Sequence, residues 1–141
     1  MKAEAKSLRF LGESPQKLTI PFFQRHYVWK KENWEELLES LEGLEVKPFL
    51  GSIILKMTNS ISPSEASIID GQQRLTTLTI LAKAIYDSLP GEKRENSGVR
   101  RDIEGFLFYR LNASDKFDDS YIKIEHSRID REDYTKMFVV R

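Results

Sequence analysis

Apolar residues recur along the chain in two periods, and the points where one period gives way to the other divide it into elements. Lys17-Leu18-Thr19-Ile20 alternates polar with apolar and is stopped by Pro21, which predicts a short strand running into a loop. From Trp34 the apolar positions Leu37, Leu38, Leu41 and Leu44 fall three and four apart, which predicts an amphipathic helix with Gly43 near its end. Phe49 to Leu55 and Ala66 to Ile69 are short apolar runs separated by a polar loop containing Pro63, and read as two buried strands. The second run meets Asp70-Gly71. Beyond it Leu75, Leu78, Ala82, Ile85, Tyr86 and Leu89 repeat with helical period until Pro90-Gly91. After a polar loop, Val99, Ile103, Phe106 and Leu107 predict a further helix with Ser97 as its cap. Tyr121 to Ile124 reads as a strand, and Asp130 with Asp133 opens a last helix packed through Tyr134, Met137 and Phe138. The sequence stops within that apolar run, so an N-terminal piece of a longer protein is expected.

Length and charge narrow the possibilities. A chain of 141 residues suits one domain spanning the whole sequence. Its 22 basic and 22 acidic side chains balance, so nucleic-acid contact has to be local. The distribution is uneven: residues 1–31 hold seven Lys or Arg against two Glu, and residues 32–45 hold six Glu and no base. The acidic stretch reads as the solvated face of a helix. Without cysteine there is no disulfide, thiolate nucleophile or cysteine-bound zinc, and His26 and His126 are too few for a histidine-rich metal site. A carboxylate-bound Mg²⁺ remains. No signal peptide and no run of apolar residues long enough to span a membrane is present, so a cytoplasmic location is expected.

The densest chemistry is Ile68-Ile69-Asp70-Gly71-Gln72-Gln73-Arg74-Leu75-Thr76-Thr77, where a strand becomes a helix. The first N–H groups of a helix lack internal partners and sit at the positive end of its dipole, so this junction suits phosphate. Gly71 permits close approach, Arg74 can fork two phosphate oxygens, and Gln72, Gln73, Thr76 and Thr77 offer donors within a turn. A carboxylate beside phosphate needs an intervening cation, which makes Asp70 a Mg²⁺ ligand or a water-orienting base. The competing reading is a capping Asp70 and a surface ion pair for Arg74. No Gly-Lys-Ser/Thr follows the glycine, so the segment is not a Walker A loop.

A second constellation, Ile20-Pro21-Phe22-Phe23-Gln24-Arg25-His26-Tyr27-Val28-Trp29, interleaves aromatic with basic and amide side chains. Aromatic faces stack on bases while Gln24 and Arg25 reach oxygen atoms; alternatively Phe23, Tyr27 and Trp29 are core anchors tying the loop to the helix at Trp34. His26 is read as a hydrogen-bonding rather than a catalytic residue. The acidic pairs Glu42 with Glu45 and Asp118 with Asp119 are read as surface groups.

These two segments, with Phe49-Leu50-Gly51-Ser52-Ile53-Ile54-Leu55, closely resemble the N-terminal domain of GmrSD-type restriction proteins, over about residue 8 to the end. The resemblance implies an α/β (α+β) fold of ParB/sulfiredoxin type, a small sheet with flanking helices. It also implies that Asp70, Gly71, Gln72, Gln73 and Arg74 serve nucleoside triphosphate binding and hydrolysis, with Gln24 and Arg25 making the facing phosphate or DNA contacts. It further implies a DNA-targeting, phage-defence context and a C-terminal His-Asn nuclease domain, which this chain lacks. The expected function is therefore a Mg²⁺-dependent NTPase-like domain gating a nuclease, possible as an oligomer, with Asp70 and Arg74 catalytic. The rivals are a non-catalytic DNA-binding module and a ParB-like nuclease using Asp70 on DNA itself.

Overall fold

The computed structural model describes residues 3–43, 50–59, 65–90, 98–112, 114–118, 121–127 and 129–139. In chain order the elements are α1 (Arg9–Glu13), β1 (Lys17–Thr19), α2 (Lys31–Glu42), β2 (Ile54–Asn59), β3 (Glu65–Asp70), α3 (Gln72–Ser88), α4 (Gly98–Leu107), β4 (Ile124–Glu125) and α5 (Arg131–Val139). The strands form one mixed sheet in the order β2-β3-β1-β4, with helices around it, as expected of an α/β chain.

The sheet is built around β1. It runs parallel to β3, with Leu18 opposite Ala66 and Thr19 opposite Ser67, and parallel to β4, with Leu18 opposite Ile124. β2 pairs antiparallel with β3 and begins with Ile54 opposite Asp70. This topology gathers three sequence-distant segments at one end of the sheet. The loop leaving β1, the turn leaving β3 and the lead-in to β2 all emerge there, the end at which α/β sheets commonly bind ligands.

Alternation supplies the core. Leu18 and Ile20 from the β1 segment and Ala66 and Ile68 from β3 point to one side, where Leu75, Leu107, Phe108, Ile124, Tyr134 and Phe138 close over them. Ala66, Ile68 and Leu107 have no accessible surface, so truncating Ile68 would leave a cavity, at a cost of about 2–5 kcal/mol.

Most expected elements form, with corrections at their ends. β2 starts at Ile54 rather than at Phe49 and continues through Asn59 into the stretch expected as loop, because pairing with β3 sets its limits. It is an edge strand and not a buried one: Ile54 and Met57 are exposed. Near the C-terminal end of the chain only Ile124 and Glu125 join the sheet as a strand, while Ile122 makes an isolated bridge to Phe108. The short helix α1 had no periodic signal. Leu44, Glu45, Phe49, Pro63, Ser97 and Asp119 lie outside the described residues.

Among the described residues several titratable groups are buried without any sign in the sequence pattern, Lys123 and His126 among them. Lys123 donates from Nζ to the carbonyls of Ser14 at 2.6 Å and Gly105 at 2.8 Å, tying the end of α1 to α4. Burial, helped by nearby Arg110, lowers its pKa to about 7. His126 packs against Tyr134 with centroids 4.1 Å apart and planes tilted by 48°, and burial lowers its pKa to about 4 despite the opposing pull of Asp130. Its Nε2 is buried without a hydrogen-bond partner among the described residues.

Candidate functional site

At the end of β3 the chain makes one abrupt turn. Gly71 adopts φ 94° and ψ 11°, a left-handed conformation that glycine reaches without steric cost, and α3 starts at the next residue. A side chain here would also crowd Ile53 and the Ser52 carbonyl, so the β2 lead-in packs directly on the turn. Asp70 lies exposed at the strand end, and its Oδ1 accepts the Gly71 N–H at 2.9 Å. The first i→i−4 bond of the helix, Leu75 N–H to Gly71 carbonyl at 3.0 Å, leaves the N–H groups of Gln72, Gln73 and Arg74 ahead of it.

These three residues are among those lining a pocket of about 340 Å³, with Gln24, Arg25, Trp29, Asp70 and Gly71. The two constellations found separately in the sequence therefore share one cavity. Parallel pairing of β1 with β3 is the cause, since it brings the residues after Thr19 alongside those after Ser67.

The paired glutamines hold the pocket together. Gln72 is 8% exposed, and its Nε2 donates to the Arg25 carbonyl at 2.9 Å. Gln73 donates from Nε2 to the His26 carbonyl at 3.2 Å and accepts at Oε1 from the N–H groups of Val28 at 2.8 Å and Trp29 at 3.3 Å. A side-chain amide has both a donor and an acceptor, which lets Gln73 satisfy three backbone groups of an irregular loop. Both amides thus serve the loop backbone rather than standing free as phosphate donors. Gln24 adds a bond from Nε2 to the Ile69 carbonyl at 3.1 Å.

Arg74 is positioned from the other side. Its Nη1 donates to the Ser52 carbonyl at 3.0 Å, and its guanidinium lies against Gly51, where any Cβ would overlap it. Gly51 also has φ 110°. The Gly51-Ser52 step is thereby explained as a seat for Arg74, a role that no signal within that segment announced.

Thr76 and Thr77 do not line the pocket. Both are buried one turn into α3, and the Thr77 hydroxyl donates to the Gln73 carbonyl at 2.8 Å and meets the Tyr27 hydroxyl at 2.6 Å. Tyr27 in turn accepts from Trp34 Nε1 at 2.7 Å, so it anchors the loop to α2 and α3. Its backbone N–H donates to Asp130 Oδ2 at 2.6 Å, a loop contact for a residue expected only to open the last helix. Trp29 faces the pocket, whereas Phe22 and Phe23 stand exposed outside it. His26 is exposed and contributes its carbonyl.

Among the described residues the charged side chains lining the pocket are Arg25, Arg74 and Asp70. Among the described residues no three His, Cys, Asp or Glu side chains gather as a metal site. One carboxylate is too few for a resident cation cage but fits a Mg²⁺ that brings phosphate oxygens and water as its other ligands.

The profile of the GmrSD restriction endonuclease, N-terminal domain, matches residues 8–139. The chain belongs to this family. The match takes in every element of the fold and all three segments that build the pocket, so the GmrSD N-terminal domain is the unit described here. The chain is also similar to an uncharacterised protein of Methanocaldococcus jannaschii, 32% identical over 79 aligned residues. That alignment covers 43% of this chain and 14% of the archaeal protein. Among the described residues no helix of this GmrSD N-terminal domain is long and apolar enough to cross a membrane.

Proposed function

We propose that the pocket binds the phosphates of a nucleoside triphosphate and promotes their hydrolysis. The observation that carries the reading is the start of α3: Gln72, Gln73 and Arg74, whose N–H groups precede the first internal bond of the helix, line a 340 Å³ cavity together with Arg25. Such a helix end stabilises an anion by donation and by its dipole. Gly71 keeps the approach clear, and Arg74, held by Ser52 and Gly51, is oriented before ligand arrives. Preorganisation of this kind counts most where negative charge grows in the transition state.

Asp70 has the complementary task. When bound, Mg²⁺ supplies charge neutralisation between phosphate and carboxylate, and Asp70 is the residue that would hold it. Through the same carboxylate it can orient a water. Trp29 supplies an apolar wall suited to the nucleoside. Membership of the restriction family supports a role in a DNA-targeting defence protein, in which nucleotide state here gates a nuclease domain carried elsewhere.

The test is titration of nucleoside triphosphates with Mg²⁺, followed by phosphate release, for the wild-type domain and Asp70→Ala. Binding with Mg²⁺-dependent turnover in the wild type, and turnover lost in a folded Asp70→Ala, is the expected result. Equal affinity for nucleoside and triphosphate would remove the phosphate assignment, and an unchanged rate in the variant would leave Asp70 as a turn residue only.

A further inference from the structure

Phe22 and Phe23 occupy the two central positions of a β-turn closed by the Gln24 N–H donating to the Pro21 carbonyl at 3.0 Å. Such positions ordinarily go to Gly, Pro, Asn, Asp or Ser. Here they hold two large apolar rings, 92% and 68% exposed, packed edge to face with centroids 5.8 Å apart and planes at 79°. Single exposed apolar residues need no explanation, but two on a pinned tip do. The tip is pinned at both ends: Ile20 N–H donates to the Glu125 carbonyl at 2.9 Å, and Gln24 Nε2 donates to Ile69.

The surrounding chemistry selects the occupant. From Phe22 to Lys31 the segment carries Arg25, Lys30, Lys31 and His26 and no carboxylate, and Arg25, His26 and Lys30 are exposed. Apolar ring faces flanked by exposed cations match a nucleobase attached to a phosphate backbone. With the rings near perpendicular, a flat base lies parallel to only one of them, while the other braces it from the side.

We infer that the Phe22–Phe23 turn stacks on an unpaired nucleobase of a DNA strand, with Arg25 and Lys30 following the adjoining phosphates. The two stacking rings lie outside the nucleotide pocket, whose lining shares only Arg25 with this contact. It gives the domain a local DNA contact that its balanced net charge does not provide.

The experiment uses this domain and the Phe22→Ala/Phe23→Ala double variant at low salt. DNA containing a fluorescent 2-aminopurine is offered as a single strand, as a duplex with one central unpaired base, and as a fully paired duplex. A single strand of abasic residues is the control. Stacking predicts quenching with the first two, tighter binding than to the abasic strand, and affinity reduced about fivefold or more in the double variant. Both side chains are solvent-exposed, so the variant is expected to melt with the wild type and to bind triphosphate unchanged. That titration separates this contact from the pocket. Equal affinity for the abasic strand, or unaltered DNA binding by the double variant, would overturn the inference. So would concentration-dependent self-association that the double variant abolishes, since the tip would then be a protein contact.

Discussion

At the scale of single residues, backbone conformations and side-chain amides hold the charged groups of the site in place. Gly51 combines a left-handed φ with a guanidinium where its Cβ would be. Gly51→Ala is therefore expected to cost about 1–3 kcal/mol, read by urea unfolding, and to weaken triphosphate binding by displacing Arg74. Gln73→Ala removes the partner of three loop groups at once. Amide exchange at Val28 and Trp29 should accelerate in that variant while the interior of α3 keeps its protection; unchanged exchange at both would show that the loop is held by other contacts. The sequence displayed these glutamines as donors at a helix start, which fits their placement but not their task. Whether an amide turns toward ligand or toward a neighbouring loop depends on a partner some 45 residues away in the chain, and no local pattern carries that.

Elements are where the sequence was most readable. The helices at Trp34, after Gly71, around Ile103 and at Tyr134 each have a three-and-four stripe, and each forms; burial against the core accounts for the stripe in the last three, whereas α2 buries Leu37 and leaves Trp34 and Leu38 exposed. Strand limits were less readable because they depend on pairing. β2 extends to Asn59 through its pairing with β3, although its exposed edge lacks the continuous apolar run that reads as a strand upstream. Tyr27 shows how the elements are joined, since its hydroxyl links Thr77 in α3 to Trp34 in α2. Tyr27→Phe keeps the ring and deletes both bonds. It should lower stability by about 1–3 kcal/mol and shift the emission of Trp34 in a Trp29→Phe background; a spectrum like that of the parent would mean α2 is held without this bridge.

For the whole molecule, the buried histidine contributes an acid-sensitive part of the stability. His126 has its pKa lowered to about 4 from an ordinary 6.5, so the unfolded chain takes up this proton first as pH falls. Stability from this residue is complete above about pH 6.5 and is lost progressively down to about pH 4, amounting to about 3 kcal/mol in all. His126→Phe should flatten that limb of the stability curve measured by urea unfolding, and an identical acid limb would assign it to carboxylates instead. Topology is also a property of the whole molecule, and it explains why three motifs form one site: parallel β1 and β3 with antiparallel β2 bring their three loops to one sheet end. The sequence carried the motifs and, by family resemblance, their association; strand order, the seat for Arg74 and the burial of Thr76 and Thr77 needed the fold. The central claim is that phosphate sits on the first turn of α3. Backbone amide NMR of the domain titrated with a Mg²⁺-bound nucleoside triphosphate tests it most directly. The largest shifts should fall on the N–H groups of Gln72, Gln73 and Arg74 and be absent with the nucleoside alone; a saturable titration that leaves these three unmoved would contradict it.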